Sequence, residues 1–169
     1  MKLHIGGKEK KDGWKILNIQ KNDGVDFVGD MSDLSQFDSS TVDEIYASHV
    51  FEHVPQDKIK ITLEGIYRVL RENGKFYVSV PDIEVLFHSF RSPQIDKKIR
   101  VHILRMIYGG QIDENDFHYF GYNFELLSDY LKDAGFSKVE KVKSFNLFND
   151  TSEYKPYGFP ISLNVISQK

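Results

Sequence analysis

The 169-residue chain is long enough for one hydrophobic core and short for two. Apolar residues make up 40% and charged residues 28%, which argues against disorder, and a net charge of -3 with a pI near 6.1 gives no electrostatic basis for nucleic-acid binding. The absence of cysteine excludes disulfides and thiolate metal sites. No apolar run reaches the roughly 18–20 residues that a membrane span needs. Met1-Lys2-Leu3 leads directly into a strand pattern, so no signal peptide is expected and a cytoplasmic location is the expectation.

Leu3-His4-Ile5 reads as a first strand opening onto Gly6-Gly7, with Gly13-Trp14 beyond. Lys15–Ile19 and Val25–Val28 read as the second and third strands, joined through the turn residues Asn22-Asp23-Gly24. Ser32–Thr41 is a polar loop or a single helical turn, and a fourth strand follows around Ile45-Tyr46-Ala47. Ile59, Leu63, Ile66 and Leu70 form one apolar stripe, predicting a helix over 56–72 stopped by Asn73-Gly74. Phe76–Val80 is the fifth strand, closed by Pro81-Asp82.

The second half changes character. Asp82 caps a short helix to about Phe90, and the spacing predicts another over 93–108 with Ile95, Ile99, Ile103 and Met106/Ile107 inward. In that helix Asp96 and Arg100 stand one turn apart on the wet side. Ile112–Tyr122 is aromatic and acidic without periodicity, hence a loop. A capped helix over Asn123–Ala134, stopped by Gly135, precedes terminal strands at Lys138–Phe145 and Ile161–Ser167. This alternation means an α/β fold with a mostly parallel sheet.

In such sheets ligands bind beyond the carboxyl ends of the strands. The stretch Asp43–Val54 (DEIYASHVFEHV) puts His49, Glu52 and His53 at such an end, making it the expected active-site edge. His49-Val50-Phe51-Glu52-His53 also matches the H-x-x-E-H zinc-peptidase pattern. That chemistry needs both histidines on one helix, whereas His49 ends a strand and Pro55 follows His53 closely, so no metal is expected. A nicotinamide site is disfavoured too, because the first loop is not G-x-G-x-x-G and no helix follows it.

The pieces LHIGG (3–7), GW (13–14), VDFVGDMSDL (25–34), DEIYASHVFEH (43–53), EGIYRVLRENGKFYVSVPD (64–82), YNFELLSDYLKDAGF (122–136) and PISLNVI (160–166) cover most of the chain. In this order they resemble the class I S-adenosylmethionine-dependent methyltransferases, most closely the small bacterial type 11 members. The resemblance implies a single-domain Rossmann-like fold over 1–169, with a seven-stranded, mostly parallel sheet. It also implies S-adenosylmethionine as cofactor and a methyl acceptor that is a small molecule or saccharide. Gly6 and Gly7 match the loop approached by the methionine moiety, and Asp30 and Met31 the pair at the adenine. Ser48 and His49 match the strand end near the sulfonium.

Two departures stand out. Lys8 replaces the usual last glycine of the first loop, and Gln20 stands where an acid usually grips the ribose, with Asn18 the nearest other candidate. Only about nine residues separate the first two strands, too few for a full crossover helix. If the acceptor must lose a proton, His53 and His118 are the candidate catalytic bases, ahead of Glu52 and Tyr46. Residues 83–122 are expected to form the acceptor side, with 112–122 either a lid or a plug. Plain structural roles compete throughout: a tight loop at Gly6-Gly7, a turn cap at Asp30, packing at His53, and structural roles for His4, His88 and His102. A non-catalytic, ligand- or partner-binding protein of the same fold is the alternative function.

Overall fold

The computed structural model describes all of residues 1–169. Its strands are β1 (Lys2–Ile5), β2 (Trp14–Asn18), β3 (Phe27–Val28), β4 (Val42–Ser48), β5 (Leu70–Pro81), β6 (Lys138–Val142) and β7 (Ser162–Gln168). The helices are α1 (Ile59–Val69), α2 (Ile83–Arg91), α3 (Lys97–Tyr108) and α4 (Phe124–Asp133). One seven-stranded sheet runs in the order β3-β2-β1-β4-β5-β7-β6. The pairs from β3 through β5 are parallel, and β7 runs antiparallel to both β5 and β6. This is the expected α/β architecture, and residues 6–13 alone connect β1 to β2, without a helix.

Period-two alternation gives the sheet two different faces. Leu3, Ile5, Ile45, Ala47, Phe76 and Val78 enter the main core with Leu63 and Ile66 of α1 and Leu127 and Leu131 of α4. The intervening residues His4, Tyr46 and Tyr77 therefore point the other way. They meet a cover that comes from far along the chain, in the connection between β6 and β7. Phe148 packs on His4, Trp14 and Tyr46 with ring centroids 4.2, 5.2 and 4.7 Å apart, and Phe145 lies edge-on to Tyr46 and Tyr77. Lys11 donates to the Leu147 carbonyl and lies 4.9 Å from the Phe148 ring. The late connection thus fills space left open by the missing first crossover helix.

Several boundaries differ from expectation for local reasons. The helix predicted over 56–72 starts at Ile59, after a separate 3-10 turn, and ends at Val69, where Leu70 turns extended and pairs with Val42. Residues 71–74 then bulge before Lys75 pairs with Glu44. Asn73 (φ 63°) and Gly74 therefore shape a bulge in β5 and do not stop a helix. A Cβ at Gly74 would meet the Arg71 carbonyl oxygen at 2.8 Å. The helix predicted over 93–108 begins at Lys97 because Asp96 is its cap, accepting from the Ile99 N–H at 2.8 Å. Asp96 is thus occupied by capping, and Arg100 reaches the Ser92 carbonyl. A small second core joins Leu86, Ile103 and Ile161, with Ile95, Ile99, Met106 and Ile107 packed against it. No helix is long and apolar enough to cross a membrane.

Candidate active site

The ends of β1, β2 and β3 are tied together by backbone and amide contacts. Gly6 adopts φ +74° and donates its N–H to the Leu17 carbonyl at 2.8 Å. A Cβ there would meet Val50 Cγ2 at 2.4 Å, and one on Gly7 would meet the His4 ring at 2.7 Å. Packing alone thus demands glycine at both positions. Asn18, the last residue of β2, donates from Nδ2 to the Gly7 carbonyl (3.2 Å) and accepts at Oδ1 from the Gln20 N–H (3.0 Å). Gln20 lies two residues past the strand with its side chain exposed, as is Lys8. Asp30 is exposed and accepts the Ser32 N–H at Oδ1 (2.7 Å), while Met31 is buried in the main core.

At the end of β4 the geometry is tighter. The Ser48 hydroxyl contacts Asp150 Oδ1 at 3.2 Å, and the Tyr46 hydroxyl contacts Oδ2 of the same carboxylate at 2.8 Å. His49 is held at φ 52°, a left-handed conformation that a non-glycine residue adopts at a cost. Its N–H donates to the Ser79 carbonyl, and its Nε2 lies 2.8 Å from Ser162 Oγ. The Ser162 hydroxyl donates to the Thr151 carbonyl, so Nε2–H is the donor toward Ser162. Nδ1 of His49 then faces Glu52 Oε1 at 3.3 Å, a contact that is attractive only with a proton between the two.

Glu52 sits at the centre of the site. It is 1% exposed, and neither carboxylate oxygen has a hydrogen-bond partner of good geometry. Burial alone would raise its pKa, but His49, and then His53 and His118 by charge, outweigh it and pull the carboxyl below its ordinary value. His53 closes the 3-10 turn Phe51–His53, and its Nδ1 lies 3.0 Å from the Phe117 carbonyl. His118 Nδ1 lies 3.0 Å from the Met106 carbonyl, its Nε2 is 4.0 Å from Glu52 Oε1, and its ring meets that of His53 edge-on at 4.7 Å. A carbonyl only accepts, so both imidazoles carry a proton on Nδ1. Burial chiefly, offset by Glu52 and reinforced by His53, holds the His118 pKa below its ordinary value.

The structure therefore brings His49, Glu52, His53 and His118 into one cluster, although Glu52 and His118 stand 66 positions apart in the chain. The aromatic loop supplies His118 from an extended stretch in which His118, Phe120 and Tyr122 turn inward while Phe117 and Tyr119 stay exposed. Its backbone is anchored, with the Tyr119 N–H on the Glu52 carbonyl and the Tyr122 carbonyl accepting from Ile83. Asp150 and Ser162, which orient Ser48 and His49, carry no sequence signal because they lie more than a hundred residues away. The remaining histidines stand apart: His4 in the aromatic cover, His88 exposed on α2, and His102 against the Tyr157 hydroxyl.

Residues 10–78 match the model of a family described as a methyltransferase domain. No curated protein matches the sequence. Among solved structures, a SAM-dependent methyltransferase from Archaeoglobus fulgidus superposes with a TM-score of 0.63 at 16% identity, over 99% of this chain and 85% of its own. A Burkholderia thailandensis 1,6-didemethyltoxoflavin-N1-methyltransferase, solved with 1,6-didemethyltoxoflavin and S-adenosylhomocysteine, gives 0.62 at 16% identity over 99% and 70%. A SAM-dependent methyltransferase from Thermotoga maritima gives 0.59 at 17% over 99% and 81%. At these identities the likeness establishes the fold.

Proposed function

We propose that this chain, a protein of the class I methyltransferase fold with a methyltransferase-domain match over 10–78, binds S-adenosylmethionine and transfers its methyl group. The observation carrying this reading is the convergence of Gly6-Gly7, Gln20 and Asp30 on one sheet edge, beside the cluster around Glu52. The residues there fit the cofactor's donor pattern. The left-handed Gly6 exposes backbone without a Cβ, and Asp30 keeps one carboxylate oxygen beyond its bond to Ser32. The exposed Gln20 amide replaces the usual ribose-binding carboxylate. When bound, the cofactor supplies an electrophilic methyl on a sulfonium.

This chain's own residues then position and deprotonate. Ser48 and His49 would border the sulfonium end of the bound cofactor, with His49 fixed by Ser162 and Ser48 by Asp150. His118, with Nδ1–H held by Met106 and its pKa lowered by burial, presents an unprotonated Nε2 able to accept a proton from an acceptor hydroxyl. His53 is the second candidate base. Alignment of acceptor and methyl supplies most of the acceleration. Residues 83–122 form the acceptor side; the cavity of about 530 Å³ walled by Val85, His88, Ser89, Ile95 and Phe159, among others, has none of His49, Glu52, His53 or His118 in its wall and is not assigned to the acceptor. The acceptor proposed for this side is a small molecule or a saccharide.

Calorimetry with S-adenosylhomocysteine tests the reading. Binding of one molecule per chain is expected, weakened about tenfold in Asp30→Ala, a loss of about 1.4 kcal/mol. No binding would overturn the cofactor assignment and leave a non-catalytic role. An unchanged dissociation constant in the variant would remove Asp30 from the site.

A further inference from the structure

We propose that Glu52, His53 and His118 form a binding site for a divalent transition-metal ion of the zinc class. One ligand atom from each of the three lies within 4.8 Å of the others. Two imidazoles and one carboxylate make a donor set that zinc uses in sites with an open coordination position.

Two independent features point the same way. Both imidazoles have Nδ1 committed to a backbone carbonyl, His53 to Phe117 and His118 to Met106. That arrangement fixes the tautomer and leaves each Nε2 with a free lone pair, which is how metal-binding histidines are commonly oriented. The second feature is Glu52 itself. Its carboxylate is 1% exposed with no hydrogen bond to either oxygen, and His49 Nδ1 lies 3.3 Å from Oε1. His49 offsets part of the cost of burying this carboxylate, and a cation between Glu52, His53 and His118 would give its oxygens the direct partner that no hydrogen bond in the chain supplies.

The spacing is open by a modest amount. Ligands around a tetrahedral zinc stand about 3.3 Å apart, so closing on the ion asks for movements of about 1 Å. The H-x-x-E-H pattern hints at metal for the wrong reason, because His49 is not part of the set. His49 spends Nε2 on Ser162, while the long-range partner His118 completes the triad. The site does not depend on methyl transfer. With the ion bound, Nε2 of His53 and His118 is spent on ligation and neither ring serves as the base; an oxygen donor in the open position would instead lose its proton more readily through the metal.

The test is titration of Zn²⁺ into the chelator-treated full chain by calorimetry, with Co²⁺ absorption as a second readout. One ion per chain is expected, together with the visible bands of low-coordinate cobalt. Affinity should fall at least tenfold in His53→Ala, His118→Ala and Glu52→Gln, and stay unchanged in His88→Ala. His53 and His118 are half-buried whereas Glu52 is buried, so the histidine variants remain informative if Glu52→Gln fails to fold. No saturable binding, or binding equally strong in both histidine variants, would overturn the site. S-adenosylhomocysteine is titrated into the same metal-free protein. Its binding without zinc binding overturns the metal site alone, whereas zinc binding without it supports the metal site and overturns the cofactor reading.

Discussion

Asn18 and Gln20 show how a single amide can be used up by its neighbours. Asn18 donates to Gly7 and accepts from Gln20, so both ends of its side chain are engaged in holding the loop. Converting it to aspartate would set a carboxylate oxygen against the Gly7 carbonyl, and Asn18→Asp should cost about 1–2 kcal/mol of stability. Gln20 has no such obligation and is exposed. A carboxylate there can accept from both ribose hydroxyls with charge assistance, so Gln20→Glu should tighten S-adenosylhomocysteine binding several-fold. Urea unfolding of the first variant and calorimetry on the second check the pair. Equal or weaker binding in Gln20→Glu would move the ribose contact elsewhere.

At the level of elements, the loop after β1 and the turn after β4 are built against each other. The left-handed Gly6 lies directly under Val50, and Val50 starts the turn that carries Glu52 and His53. Gly6→Ala combines an unfavourable φ with a clash and should destabilise by on the order of 2–3 kcal/mol. The clash is with Val50 Cγ2, so Val50→Ala should recover part of the loss while the φ cost remains. A double-mutant cycle in denaturant measures this coupling, and strict additivity would contradict it. The elements themselves were largely legible, because apolar period and capping residues such as Asp82 and Asn123 act locally. The β5 bulge was not, since Asn73-Gly74 after an apolar stripe reads equally as a helix stop. In the candidate site, the motif around His49 falls at the end of β4, as its residue pattern suggests. The meeting of Glu52 with His118, and of Tyr46 with Asp150, depends on chain return that no local pattern encodes.

At the scale of the whole molecule, the β6–β7 connection does the covering that a first crossover helix would otherwise do, and His4 records it. Phe148 closes over His4 at 4.2 Å, and burial, partly offset by Asp150, lowers the His4 pKa from 6.5 to about 4. Between those two values the unfolded chain binds a proton that the folded chain refuses. Stability therefore rises with pH through that window. The contribution is complete above pH 6.5 and is lost as pH falls toward 4, on the order of 3 kcal/mol. Phe148→Ala should remove roughly 1–3 kcal/mol at pH 7, less than a fully buried phenylalanine because Phe148 is half-buried. It should also admit water to His4 and move its pKa back toward 6.5. The variant then has less left to lose in acid, so its stability deficit should be smaller at pH 5 than at pH 7. Urea unfolding at the two pH values, with an NMR titration of the His4 ring, measures both effects. A deficit identical at both pH values, with His4 still titrating near 4, would mean that the connection does not shield the sheet face.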